Sequence, residues 1–128
     1  MKCKKIKKLF CVDADARAVE AARQNISALS SDSAVEAEYL WYDLTRPCAA
    51  IKNLDAVLMN PPFHSGKKTD IDLGKAMIGT ACNALRKGGQ LFMVANAHLP
   101  YERVLRDLFH DVETRAEKAG FKIFHALK

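Results

Sequence analysis

The chain has 128 residues, 49% of them hydrophobic and 27% charged, which suits one compact domain and excludes disordered and fibrous classes. A formal net charge of +5 favours a polyanionic partner, although Lys2, Lys4, Lys5, Lys7 and Lys8 crowd the first residues as a solvated terminus also would. No stretch reaches the roughly 20 apolar residues of a membrane span, no apolar run follows the basic start as in a signal peptide, and neither the cysteines (Cys3, Cys11, Cys48, Cys82) nor the histidines (His64, His98, His110, His125) have metal or redox spacing.

Lys8 to Val12 reads as a short buried strand that ends at Asp13 and Asp15. From Ala16, the spacing of Val19, Ala22, Ile26 and Leu29 predicts a helix, ended by Ser30-Ser31-Asp32-Ser33. Val35 to Tyr42 predicts a second strand, ending at Asp43 and broken by Thr45-Arg46-Pro47. Leu54 to Met59 is a third, closed by Asn60-Pro61-Pro62-Phe63, because proline cannot donate to a strand ladder. A loop with Gly66, Lys67 and Lys68 leads to a helix from about Asp70 to Arg86, with Leu73, Met77, Ala81, Ala84 and Leu85 buried and Gly88-Gly89 as its cap. Leu91 to Ala95 is a fourth strand. Pro100 opens a helix whose Tyr101, Val104, Leu105 and Leu108 face the core. Val112 to Glu117 and Phe121 to Leu127 form a hairpin through Lys118-Ala119-Gly120. Cys11 and Cys82 read as small core side chains.

The order β-α-β-β-α-β-α-β-β predicts an α/β fold, a mostly parallel sheet closed by an antiparallel hairpin. Ligands on such sheets bind beyond the carboxyl ends of the strands, where Asp13, Asp43 and Asn60 stand.

Asn60-Pro61-Pro62-Phe63 carries the chemistry. An exocyclic base amine is a poor nucleophile, since its lone pair is delocalised into the ring. Two acceptors aimed at its N–H groups, the Asn60 side-chain oxygen and the Pro61 carbonyl, can hold it for attack on a methyl donor. The prolines stiffen the loop, and Phe63 offers a face for the target base. A strand-ending turn with one packing phenylalanine would use the same residues.

This motif resembles the [DN]PP[FY] signature of class I amino-group methyltransferases. With His64 and the downstream Val94-Ala95-Asn96-Ala97-His98-Leu99-Pro100-Tyr101, and the ending Phe121-Lys122-Ile123-Phe124-His125-Ala126-Leu127, the chain is similar to bacterial rRNA guanine-N2 methyltransferases of the small-subunit type from about residue 8 to 128. The resemblance implies a Rossmann-like sheet and S-adenosylmethionine (SAM) as cofactor. It implies catalytic roles for Asn60, Pro61, Pro62 and Phe63, with Asp13 on the ribose hydroxyls and Asp43 on the adenine amine. No metal is implied. The partner is rRNA or a ribosomal subunit, and the location is the cytoplasm. His64, His98, Lys67 and Lys68 are candidate RNA contacts, or plain loop residues.

The chain departs from the family in one respect. Its six glycines all follow the NPPF motif, so the first strand and the glycine loop under the methionine of SAM are missing. Residues 1–128 then read as a single, N-terminally truncated methyltransferase domain, in which the absent strand leaves a gap between the Asp13 and Asn60 strands and edges open to homodimerisation. Two alternatives stand beside this reading. One is a non-catalytic RNA-binding or interaction remnant. The other is a methyltransferase for DNA adenine N6 or protein glutamine.

Overall fold

The computed structural model describes residues 6–29, 35–62 and 68–128. The element order is β1 (Lys8–Asp13), α1 (Ala16–Leu29), β2 (Glu36–Trp41), β3 (Leu54–Met59), α2 (Lys68–Ala84), β4 (Leu85–Asn96), α3 (Glu102–Leu108), β5 (Asp111–Lys118) and β6 (Phe121–Leu127), as the sequence predicts. Among the described residues the strands form two sheets, β1-β2 and β3-β4-β6-β5. The chain divides correspondingly into two compact units, Met1–Leu44 and Thr45–Lys128.

In the first unit β1 and β2 run parallel, with Asp13 opposite Trp41. Asp15 starts α1: its Oδ1 accepts the Arg17 backbone N–H at 2.9 Å, as an N-cap carboxylate does. The Arg17 side chain beside it, followed by that N–H, holds the Asp15 carboxyl below its usual range. Val19 is buried on the sheet side of α1, with Ala22 and Ile26 half-buried. Leu29, expected on the same stripe, is 85% exposed. A helix on only two strands has little surface on which to bury its last turn. Cys11 is half-buried rather than a core residue, and burial raises its thiol pKa.

In the second unit β3 and β4 are parallel, and β6 pairs antiparallel with both β4 and β5. Alternation along the strands sends Leu91, Met93 and Ala95 of β4 and Phe124 and Ala126 of β6 to one face. There they pack with Ile78, Ala81, Cys82 and Leu85, and with Tyr101, Leu105 and Phe109. Burying each large side chain contributes roughly 1.5–3 kcal/mol.

The buried stripe of α2 runs Asp70, Gly74, Ile78, Ala81, Cys82, not through Leu73, which is 40% exposed. Small residues let α3 approach α2 closely, so its packing face is not the one richest in large side chains. Leu108 is likewise exposed. The chain leaves α3 at Phe109 in extended conformation (φ −115, ψ 148), and Phe109 takes the core place.

Gly88-Gly89 does not cap a helix. Both glycines lie within β4, where the register jumps from Leu54↔Leu85 to Ala56↔Gln90. Gly88 has φ +76, and a β-carbon on Gly89 would stand 2.8 Å from the Arg86 carbonyl oxygen. The α2 carboxyl end is served instead by Lys128, whose ammonium donates to the carbonyls of Cys82 and Leu85. The β5–β6 hairpin turns at Ala119 (φ 53) and Gly120 (φ 81), two left-handed residues that match strand twist.

The opposite face of this sheet is barely covered. Leu58 is 82% exposed, and Val94, Ile123 and Phe121 stand partly open beside it. Of the two edges, β5 carries Asp111, Glu113, Arg115, Glu117 and Lys118, the charge pattern of a protected edge. β3 carries only Asp55, as an inner strand would.

Candidate active site

The second unit places the NPP motif where β3 ends. Met59 is the last residue paired to β4, through Met93. Asn60 follows, exposed, with no side-chain partner among the described residues. Pro61 is buried and Pro62 half-buried, which anchors the turn while the Asn60 amide projects to solvent. Phe63, His64 and Lys67 lie outside the described residues, as does the side chain of Lys68. Asn60 borders an apolar groove whose other walls are Leu58, Met59, Phe92, Met93, Val94 and Ile123. An acceptor amide beside apolar side chains suits a flat heteroaromatic ring with an edge amine.

Near the carboxyl end of β4, Asn96 shapes the following turn. Its Oδ1 accepts the His98 N–H at 3.0 Å, and its carbonyl accepts the Leu99 N–H at 3.1 Å. His98 is exposed.

The first unit holds the two candidate cofactor residues. Asp13 ends β1 and is exposed. Its Oδ1 accepts the Asp15 N–H at 2.8 Å, while its Oδ2 has no partner among the described residues. One free carboxylate oxygen and the spare lone pair of the other can still accept from a vicinal diol. The Tyr42 N–H donates to the Asp13 carbonyl at 3.0 Å, so the chain after β2 is tied to this strand end. Asp43 is exposed and lies two residues beyond β2 rather than at its end. Both are carboxylates, which accept hydrogen bonds from hydroxyl or amine donors.

Trp41 was not expected at the site. It is 72% exposed, and its indole Nε1 donates to the Ala14 carbonyl at 2.8 Å. Its aromatic character at a strand end is the signal the sequence carries for it.

Among the described residues no cluster of His, Cys, Asp or Glu could hold a metal ion. No helix among them is long and apolar enough to cross a membrane.

The architecture is that of Rossmann-like class I methyltransferases. A SAM-dependent O-methyltransferase from Thermotoga maritima superposes with TM-score 0.69 at 15% identity, covering 94% of this chain and 49% of that one. The methyltransferase small domain model matches residues 1–125, and the chain belongs to that family. Two curated relatives are the ribosomal RNA large subunit methyltransferase G of Shewanella amazonensis, 38% identical over 121 residues, and the ribosomal RNA small subunit methyltransferase C of Shigella flexneri, 37% identical over 123. They align with 94% and 96% of this chain, which spans only 31% and 34% of their lengths. A structure of the T. thermophilus 16S rRNA N2 methyltransferase (RsmC) in complex with AdoMet and guanosine has TM-score 0.77 and 28% identity, covering 94% of this chain and 31% of that one.

Proposed function

We propose that residues 1–128 act as one domain of a cytoplasmic, SAM-dependent enzyme that methylates the exocyclic N2 amine of guanine in rRNA. The observation that carries this is the exposed Asn60 amide at the carboxyl end of β3, without a side-chain partner among the described residues, anchored by buried Pro61 and bordering an apolar groove. The 28% identity to a methyltransferase whose structure holds AdoMet and guanosine supports the choice of cofactor and base. The net charge of +5 supports an RNA partner, whose phosphates release counterions on binding.

In this reading the Asn60 Oδ1 and the Pro61 carbonyl accept the two N–H groups of the target amine. That fixes the nitrogen and favours its rehybridisation, while Phe63 stacks on the base. Asp13 accepts from the ribose hydroxyls of the cofactor, and Asp43 accepts from its adenine amine. When bound, SAM supplies an electrophilic methyl group. Fixed acceptors aimed where charge develops typically contribute about 3 kcal/mol each. The near-uncharged edge of β3 supports self-association as a homodimer. Analysis of the nucleosides in rRNA treated with the enzyme tests the assignment, and N2-methylguanosine is the expected product.

A further inference from the structure

We infer that Trp41 is a stacking platform for the adenine ring of an adenosine-containing ligand whose ribose is held by Asp13. The inference rests on the cofactor reading above and adds a residue to it.

Asp13 and Trp41 are direct partners in the parallel β1–β2 ladder, each at the carboxyl end of its strand. Side chains alternate along a strand, so two paired residues point to the same face, about 4.8 Å apart across the ladder. The indole and the carboxylate therefore share one face at one strand end.

Burial does not explain the indole, which is 72% exposed, the most open large aromatic among the described residues. Nor is it free to swing. The bond from Nε1 to the Ala14 carbonyl, 2.8 Å long, ties it across the turn Asp13-Ala14-Asp15. This turn is itself braced by Asp13 Oδ1 accepting the Asp15 N–H. With its one polar atom engaged, the ring has only its faces to offer. A fixed, exposed aromatic face one strand spacing from an acceptor carboxylate suits a purine nucleoside, base on the indole and hydroxyls on the acid. An RNA phosphate does not suit it, because Asp13 would repel the anion.

Trp41 is the single tryptophan of the chain, so its emission reports on this face alone. The test titrates the full chain with adenosine and with S-adenosylhomocysteine, following fluorescence and, in parallel, calorimetry, with uridine as control. Adenosine is expected to quench Trp41 saturably and uridine far less. Trp41→Ala should weaken adenosine binding about 10-fold, the order of one lost base–aromatic stack, and Trp41→Phe should restore most of it. Asp13→Ala should abolish binding with either residue at position 41. If adenosine binds and needs Asp13, but Trp41→Ala binds equally well and the emission does not change, the platform is wrong and the cofactor reading stands. If adenosine does not bind, the platform is wrong; if it binds without need of Asp13, both the platform and the cofactor reading are wrong.

Discussion

Tyr101 is packed so closely on Gly74 that a β-carbon at position 74 would meet the phenolic oxygen, with the ring carbons Cζ and Cε1 at 2.6 and 2.8 Å. This contact fixes α3 against α2 and, with it, the turn that follows β4. Tyr101 is completely buried, and its hydroxyl has no hydrogen-bond partner among the described residues. Burial, and then the Asp70 carboxylate, raise its pKa, so the phenol stays neutral. Gly74→Ala is expected to destabilise the fold by about 1–3 kcal/mol, as overpacking does. Tyr101→Phe, which removes a hydroxyl without a partner, should be neutral or stabilising. Urea unfolding midpoints check both, and a fully stable Gly74→Ala would mean that the helices can move apart freely.

The Lys122–Glu102 pair, 2.8 Å apart, joins β6 to α3. Burial tends to raise the Glu102 pKa, but the hydrogen bond from Lys122, a backbone hydrogen bond and the charges of Lys122 and Arg106 together outweigh it, and the net shift is downward from 4.5. The Lys122 pKa is raised from 10.5, chiefly by the hydrogen bond to Glu102. A carboxylate with a lowered folded pKa stabilises above its unfolded value and loses that contribution as pH falls through the folded one. An ammonium with a raised pKa stabilises below its unfolded value and loses that contribution as pH rises through the folded one. The pair should therefore contribute in full between about pH 5 and 10 and fade on both sides. Thermal melts of Glu102→Gln against the parent should differ most in that window and converge at acid pH.

Leu58 stands on an edge strand whose composition is that of an inner strand. Sedimentation at rising concentration is expected to show self-association, and Leu58→Lys should suppress it, as charge on an edge does. A chain that stays monomeric throughout would remove the homodimer from the account.

In the proposed reading Asp13 and Asp43 take the ribose and adenine of SAM, and within these 128 residues no glycine before Gly66 is there to cradle its methionine. Calorimetry should find SAM binding weaker than micromolar. A chain extended by a family-like D-x-G-x-G segment should bind more tightly. Micromolar binding by the 128 residues alone would contradict this.

Asn60→Ala, in an enzyme that turns over, should lower methyl transfer about 100-fold or more, near 3 kcal/mol, with little change in stability, since Asn60 is exposed. Radiolabelled methyl transfer measures the first and a thermal melt the second.

Much of this architecture was legible in the sequence because local rules acted alone. The third strand runs into prolines that cannot pair, and its observed end, Met59, is where they stop it. Ala119-Gly120 forms the predicted hairpin turn because glycine accepts left-handed backbone at little cost. The errors arise where a neighbouring element decides. Leu73 is open because α3 seats on Gly74, and Leu108 gives its core place to Phe109 because α3 ends one residue before it. Gly88-Gly89 looked like a helix cap, whereas the glycines serve a register jump set by pairing with distant β3. At the candidate site, acids at strand ends were legible as residue types. The indole beside Asp13 was not, because its place depends on the β1–β2 register.

The central claim is that this fold delivers a methyl group to guanine N2 in RNA. Mass spectrometry of the nucleosides from ribosomal subunits or naked rRNA, after reaction with SAM and an enzyme that carries this chain, tests it most directly. The account predicts N2-methylguanosine, lost when Asn60 is replaced by alanine. N6-methyladenosine, or a methylated protein beside unmodified RNA, would contradict it.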